Sequence, residues 1–186
     1  QVIKLETEGS SAFSTRASVA IAHLLQREGK DKESLAMFAQ LVTAADDVSV
    51  RGEAALYAGI VAAKLGLRAD SERYLTIVIQ TPGMETWRPQ AQIALMSNRY
   101  DEKKYQEVID LYQRSAAPAE GEAEARRKML AGQSYMQLGK NAEALELFRE
   151  VERVARPDSD LAFDASYFRL LCFYRIDGEH VDEQVD

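Results

Sequence analysis

Cysteine is nearly missing from this chain. Cys172 stands alone, so no disulfide closes within the chain, and the compartment stays open on that ground. Proline is scarce, with four in 186 residues, so few positions are barred to helix. Long alternating runs of Val, Ile and Thr are also absent, which argues against a large sheet. No apolar run approaches the length of about eighteen residues that a membrane-crossing helix needs. Basic charge is in deficit: 23 Lys and Arg face 30 Asp and Glu, for a formal net charge of −7. A nucleic-acid binder has to neutralise phosphates and shows the opposite balance, so that class is disfavoured. The chain starts at Gln1 rather than Met, as expected of a trimmed or matured form, so a missing signal peptide carries no weight.

What is present in quantity is helix former. Leu, Ala, Glu, Gln, Lys and Arg abound. Hydrophobic residues make up 46% and charged residues 28%, which argues against disorder of the whole chain. Apolar residues recur at helical spacing from Phe13 onward. A first helix is predicted from about Ser14 to Arg27, with Val19, Ile21, Ala22 and Leu25 as its apolar side. Gly29 and Lys30 break it, and a second helix follows from Lys32 to Ala44. The same helix–break–helix unit returns at Glu53–Leu65 with Ala69–Ile79, then from Pro89 to Ile109 and beyond, then from Ala123 to Val154.

Aligning the breaks gives a period. Gly29 and Gly66 lie 37 apart, Gly66 and Lys103 lie 37 apart, and Lys103 and Gly139 lie 36 apart. A period of this size with two helices in each unit predicts stacked helical repeats rather than an ordinary bundle. The residues filling the unit repeat as well. Gly132, Tyr135, Leu138 and Gly139 are followed by Ala144 and Phe148 in the fourth repeat. Their equivalents are Ala22, Leu25, Gly29, Ser34 and Phe38 in the first, and Gly59, Ala62, Leu65, Gly66, Ser71 and Leu75 in the second. Small residues let the paired helices approach, and the larger residue one turn away fills the space beside them.

From about Thr15 to Pro157 this pattern resembles the tetratricopeptide repeat (TPR) family. The third repeat departs from it: Met96 and Arg99 stand at the small and aromatic positions, and Lys103 replaces the turn glycine. An alternative register through Ser97 and Tyr100 restores the first-helix pattern but shortens the turn. Tyr105, Val108 and Tyr112 fit the second helix in either case. Pro82 and Pro157 match the family's closing proline loosely, and the repeat is longer than the family length of about 34 residues. The resemblance implies an all-α, right-handed α-solenoid of TPR-like helix-turn-helix repeats. Residues 1–13 are expected to be a linker or extended segment, residues 14–176 the solenoid, and residues 177–186 an acidic tail, frayed or continuing into a longer protein. The repeats fall near 15–51, 52–88, 89–124 and 125–160. A terminal helix over 161–176 is either the first helix of a fifth repeat or a cap, and its all-round apolarity predicts a buried or partner-covered element.

The resemblance also implies where a ligand sits. In this family the first helix of each repeat lines a concave face that holds a peptide. Projected onto this sequence, the lining is Arg16, Val19, His23 and Arg27; Leu56, Ile60 and Lys64; Gln90, Ile93, Ser97 and Asp101; Arg126, Met129, Gln133 and Met136; then Phe168, Cys172 and Arg175. The lining mixes apolar with mildly basic residues, which suits a partner segment with apolar anchors and carboxylates. The plainer reading of the basic residues is a solvated edge, and of Met129 with Met136 partial core filling. Some family members clamp a C-terminal carboxylate with Lys and Asn. Here Val19, His23, Tyr57, Gln90 and Ala94 occupy those positions, so the clamp is absent.

No constellation for chemistry emerges. His23 has no ligand at metal spacing, and His180 lies in the acidic EHVDE tail. Cys172 falls on an apolar helix, where a thiol is inert. Ser134 lacks the second glycine of a nucleophile elbow, and no phosphate loop or dinucleotide fingerprint occurs. The acidic pairs Asp46–Asp47 and Glu122–Glu124 sit near helix starts, where they favour the helix dipole. Trp87 is expected to pack at the junction of the second and third repeats. No cofactor, metal or nucleic acid is therefore expected. The sequence predicts a non-catalytic protein-binding scaffold or adaptor. The alternatives are an assembly subunit, with homo-oligomer contacts through the terminal helix, and the regulatory portion of a longer protein. Bacterial envelope proteins often use this repeat, and periplasm and cytoplasm both stay open.

Overall fold

The computed structural model describes the backbone of residues 2–114 and 121–182, and the side chains of residues 14–114 and 121–176. Among the described residues there are nine helices and no strand. They are α1 (Val2–Arg27), α2 (Asp31–Ala44), α3 (Val48–Lys64), α4 (Arg68–Gln80), α5 (Arg88–Asp101), α6 (Tyr105–Arg114), α7 (Gly121–Gln137), α8 (Asn141–Val154) and α9 (Asp160–Asp182). The chain forms two compact units, residues 1–95 and residues 96–186, and α5 contributes its first part to one and its last part to the other.

The turn between paired helices is the same object four times. At the first, the Gly29 N–H donates to Gln26 O and the Lys30 N–H to Leu25 O. Gly66 with Leu67, Lys103 with Lys104, and Gly139 with Lys140 repeat both bonds, 2.8–3.2 Å long. This closure satisfies carbonyls at the end of the first helix and needs a left-handed residue at its centre. Gly29, Gly66 and Gly139 take φ of 75°, 76° and 74°, and Lys103 takes 59°. Lys103 therefore holds the turn of the third repeat, and the register through Ser97 and Tyr100 is excluded. Met96 stands at the small-residue position, buried with Val108 and Ala131. Arg99, at the aromatic position, instead pairs with Glu102 at 3.4 Å and Glu107 at 2.9 Å.

In the N-terminal unit α1 and α3 flank α2, and α3 packs in turn on α4. Phe38 and Ala22 are fully buried at the centre, with Val19, Leu41, Ala54, Ala58 and Tyr74. Ser34 Oγ donates to Ala22 O at 2.9 Å, and Ser71 Oγ to Gly59 O at 2.7 Å. The second helix thus reaches the backbone of the first through a short hydroxyl, which only a close approach allows. A Cβ on Gly59 would meet Leu75 at 2.7 Å.

In the C-terminal unit α7 packs on α6 and α8, and α9 covers α8 and touches α7. Gly132 plays the close-approach role here, since a Cβ on it would meet Phe148 at 2.8 Å. Arg127 is the surprise of this unit, with its side chain only 2% exposed. Nη1 donates to Glu124 Oε2 at 3.0 Å and Nη2 to Tyr112 O at 3.3 Å, so it ties the end of α6 to α7.

Both ends of the chain depart from expectation. The segment read as a linker or strand, residues 1–13, is helical from Val2 and continuous with α1. The acidic tail is likewise helical as far as Asp182. Gln1, 115–120 and 183–186 lie outside the described residues, as do the side chains of 2–13 and of 177–182, including His180.

Candidate functional site

The N-terminal unit carries a depression of about 470 Å³ between α1 and the start of α3. Arg16, Val19, Ala20 and His23 line it from α1, and Asp47, Ser49, Val50 and Glu53 from the α3 end. Its floor is apolar, because Val19 and Val50 are each 7% exposed and belong to the core beneath. Its walls are polar. His23 Nε2 lies 3.1 Å from Glu53 Oε1. An ionised carboxylate only accepts, so Nε2 carries the hydrogen of this bond. The ring is fixed further by edge contacts with Tyr57 at 4.3 Å and Phe38 at 5.1 Å, while Phe38 and Tyr57 stack at 5.7 Å. His23 is thus a held side chain, oriented from two neighbouring helices.

The carboxylates of the depression are already engaged. Asp47 caps α3, accepting from the Ser49 N–H at 2.8 Å, and Glu53 holds His23. Ser49 O in turn accepts from Trp87 Nε1 at 3.1 Å, so Trp87 packs on the first turns of α3, where a Cβ on Gly52 would meet its ring at 2.7 Å. Arg16 is exposed and has no ion pair among the described residues, which leaves it as the open charge of the depression.

The other expected lining residues of this unit behave differently. Leu56 is 2% exposed and belongs to the interior. Ile60 and Ile93 are half-buried; Arg27 and Gln90 are exposed. Lys64 is exposed but pairs with Asp31 at 2.8 Å, at the turn edge. In the C-terminal unit Met129 and Met136, 6% and 5% exposed, are core residues, because α8 and α9 pack over that side of α7. They offer a ligand almost no surface, and the adaptable methionine patch is replaced by core filling. Gln133 and Ser97 are half-buried and Asp101 is exposed. Arg126 folds back on Glu122, with Nη2 2.7 Å from Oε1. Phe168 stacks on Phe148 at 5.5 Å, and Arg175 is exposed on α9. Cys172 is fully buried, and burial pushes its thiol up, away from the reactive thiolate. Among the described residues no group of His, Cys, Asp and Glu is arranged to hold a metal ion.

The sequence reading missed Asp47, Ser49 and Val50 as lining because it began the second repeat's first helix at Glu53, and it passed over Glu53 itself. The helix starts at Val48, one turn earlier. The signal was Asp47, an N-cap residue placed near a helix start by its charge but not used to set the boundary.

The overall fold is similar to that of a solved structure. A crystal structure of nearly identical TPR-like repeats, from a Podosopora anserina kinesin light chain candidate, superposes with a TM-score of 0.65. The match covers 91% of this chain and 89% of that one, at 17% sequence identity. The fold is a TPR-like repeat fold. No family model and no curated protein sequence matches the chain. At this identity the likeness speaks for the fold alone.

Proposed function

We propose that the chain is a non-catalytic interaction module that holds a segment of a partner protein on the face shared by α1 and α3. The observation that carries this reading is the depression with an apolar floor, a fixed His23–Glu53 pair and an open Arg16. An apolar floor with a few oriented polar groups is the usual construction of a ligand pocket, and it suits a side chain of a partner segment as its anchor. Because Asp47 and Glu53 are engaged within the protein, the charge left for a partner is that of Arg16, which suits a carboxylate beside an apolar anchor.

Charge reversal of Arg16 tests this more cleanly than reversal of Lys64 or Arg126, which would break pairs with Asp31 and Glu122. Affinity capture with the wild-type chain should retain a partner that Arg16→Glu loses, with the helical circular-dichroism spectrum unchanged. Equal capture by both would remove this face from consideration. A second reading, an assembly subunit that docks through its terminal helix, is favoured by a separate observation: α9 leaves one apolar face open.

A further inference from the structure

The four most exposed large apolar side chains of the described residues lie on one face of α9. Tyr174 is 78% exposed, Phe163 75%, Leu170 60% and Tyr167 57%. The opposite face of the helix, with Ala165, Phe168 and Cys172, packs into the core formed with α7 and α8. The exposed set is spaced 4, 3 and 4 residues apart, the a/d spacing of a helix-pairing seam. It runs for about 16 Å along the helix at a rise of about 1.5 Å per residue.

The repeats themselves show what would ordinarily cover such a helix. Phe38 of α2 stacks on Tyr57 of α3 at 5.7 Å and 22°, and Phe148 of α8 stacks on Phe168 of α9 at 5.5 Å and 22°. Phe168 therefore stands where Tyr57 stands. Two residues further on, α3 has Gly59, against which Leu75 of the paired helix packs closely; α9 has Leu170 at that place. The position that admits the closest approach of a second repeat helix is filled, so the glycine-mediated contact of α3 with α4 is not repeated on α9. Packed helices lie about 8–10 Å apart depending on the side chains between them, so leucine and tyrosine call for a partner at the wide end of that range.

Resting on the assembly reading, we infer that this seam is the interface of a homodimer, with α9 paired antiparallel to α9 of a second copy about a two-fold axis. Two features point to a copy of this chain rather than to another helix. The spacing is palindromic about the midpoint between Phe168 and Arg169. Antiparallel apposition therefore sets Phe163 opposite Tyr174 and Tyr167 opposite Leu170, twice over, as an isologous interface requires. Charge follows the same symmetry. Asp164 and Arg175 each follow a seam residue by one position, so both lie on the same flank, and both are exposed. The two-fold places Asp164 of one copy beside Arg175 of the other, and the reverse. The area is also sufficient. Three aromatics of about 150–250 Å² each, more than half exposed, together with Leu170 give about 500 Å² per copy. The total of about 1,000 Å² is the lower bound of a specific interface.

Light scattering across a dilution series tests this on the full chain. The wild type should pass from dimer to monomer on dilution. Leu170→Glu should weaken association about tenfold or more without loss of helix content, since the residue is exposed. Asp164→Arg and Arg175→Asp should each weaken it, and the double reversal should restore it. A dimer unaffected by Leu170→Glu would overturn the α9 seam and leave assembly through another surface standing. A dimer lost in Leu170→Glu but not restored by the double reversal would overturn the antiparallel two-fold. A wild-type monomer at the highest soluble concentration would overturn the seam and the assembly reading together.

Discussion

In the N-terminal unit, Gly59 lets Leu75 press against the backbone of α3, and Ser71 donates across the gap to Gly59 O. In the C-terminal unit the equivalent place on α5 is Met96, and Val108 stands where the bridging hydroxyl of Ser71 stands. The N-terminal unit makes its turns with glycine alone, whereas the C-terminal unit makes one of its two with Lys103. The N-terminal core is apolar with two small hydroxyls; the C-terminal unit buries a guanidinium. The same helix pair is therefore reached by two routes. Where the small residue is kept, the pair is fixed by close backbone approach. Where it is lost, ion pairs and larger side chains fill the space, as Arg99 does with Glu102 and Glu107.

The largest test of this contrast is Arg127. Replacing it with Ala leaves Tyr112 O without its donor and leaves Glu124 with Lys128, 3.6 Å away, as its remaining partner. Breaking a buried pair in this way costs about 3–5 kcal/mol, which urea unfolding would register as a lower midpoint. Arg127→Met keeps most of the volume but leaves Tyr112 O and Glu124 without the same donor, so it should lose nearly as much. If Arg127→Met instead stays within about 1 kcal/mol of the wild type, volume rather than charge holds α6 to α7.

Next is the close approach in the N-terminal unit. Gly59→Val places a branched side chain where even a Cβ meets Leu75 at 2.7 Å. Overpacking of this kind costs about 2–3 kcal/mol. The same methyl groups at Met96 create no clash, so Met96→Val should cost about 1 kcal/mol, as a modest loss of buried volume. Equal losses at the two positions would erase the distinction between the routes.

These contacts also mark how far the sequence could be read. The repeat, its period and three of four turns were legible because a left-handed residue selects glycine, and glycine is visible. The third turn was ambiguous on the page because Lys103 adopts the same conformation without advertising it. The ends were misread for a related reason. The Gly9-Ser10-Ser11 stretch has weak helix propensity and no apolar period, so local pattern gave no cause to extend α1 back to Val2. The groove lining was half legible. Register places Arg16 and His23 together, but it cannot say that Met129 and Met136 lie under α8 and α9, which depends on packing between helices. For α9, apolarity all round told of burial but not of which side stays open.

A smaller effect is expected at the turns. A non-glycine residue in the left-handed region costs about 1–2 kcal/mol. Lys103→Gly should therefore stabilise the C-terminal unit by about 1 kcal/mol, and Gly139→Ala should destabilise it by a similar amount, both by urea midpoint. No change at Lys103 would mean that the lysine side chain offsets its own backbone strain.

The smallest effect separates the contacts between successive repeats. In the N-terminal unit Phe38 and Tyr57 carry that contact; in the C-terminal unit a polar set joins the stacked rings of Phe148 and Phe168. Glu152 accepts from Ser166 Oγ at 2.7 Å and from Arg169 Nε at 2.9 Å. Burial works to raise the Glu152 carboxyl, but the Ser166 hydroxyl and the Arg169 guanidinium outweigh it and hold the carboxyl below its ordinary value. A carboxylate lowered in the folded state adds stability above its unfolded value. That contribution fades below about pH 4.5, as the unfolded chain begins to bind the proton, and is gone once the folded carboxyl has taken it up. Glu152→Gln removes the titrating group while keeping an acceptor. Its stability should lie a few tenths of a kcal/mol to about 1 kcal/mol below the wild type at pH 7, and the gap should close as the pH falls toward 3. A gap that stays constant with pH would show that Glu152 joins α8 to α9 by shape and hydrogen bonding, with no contribution from its charge.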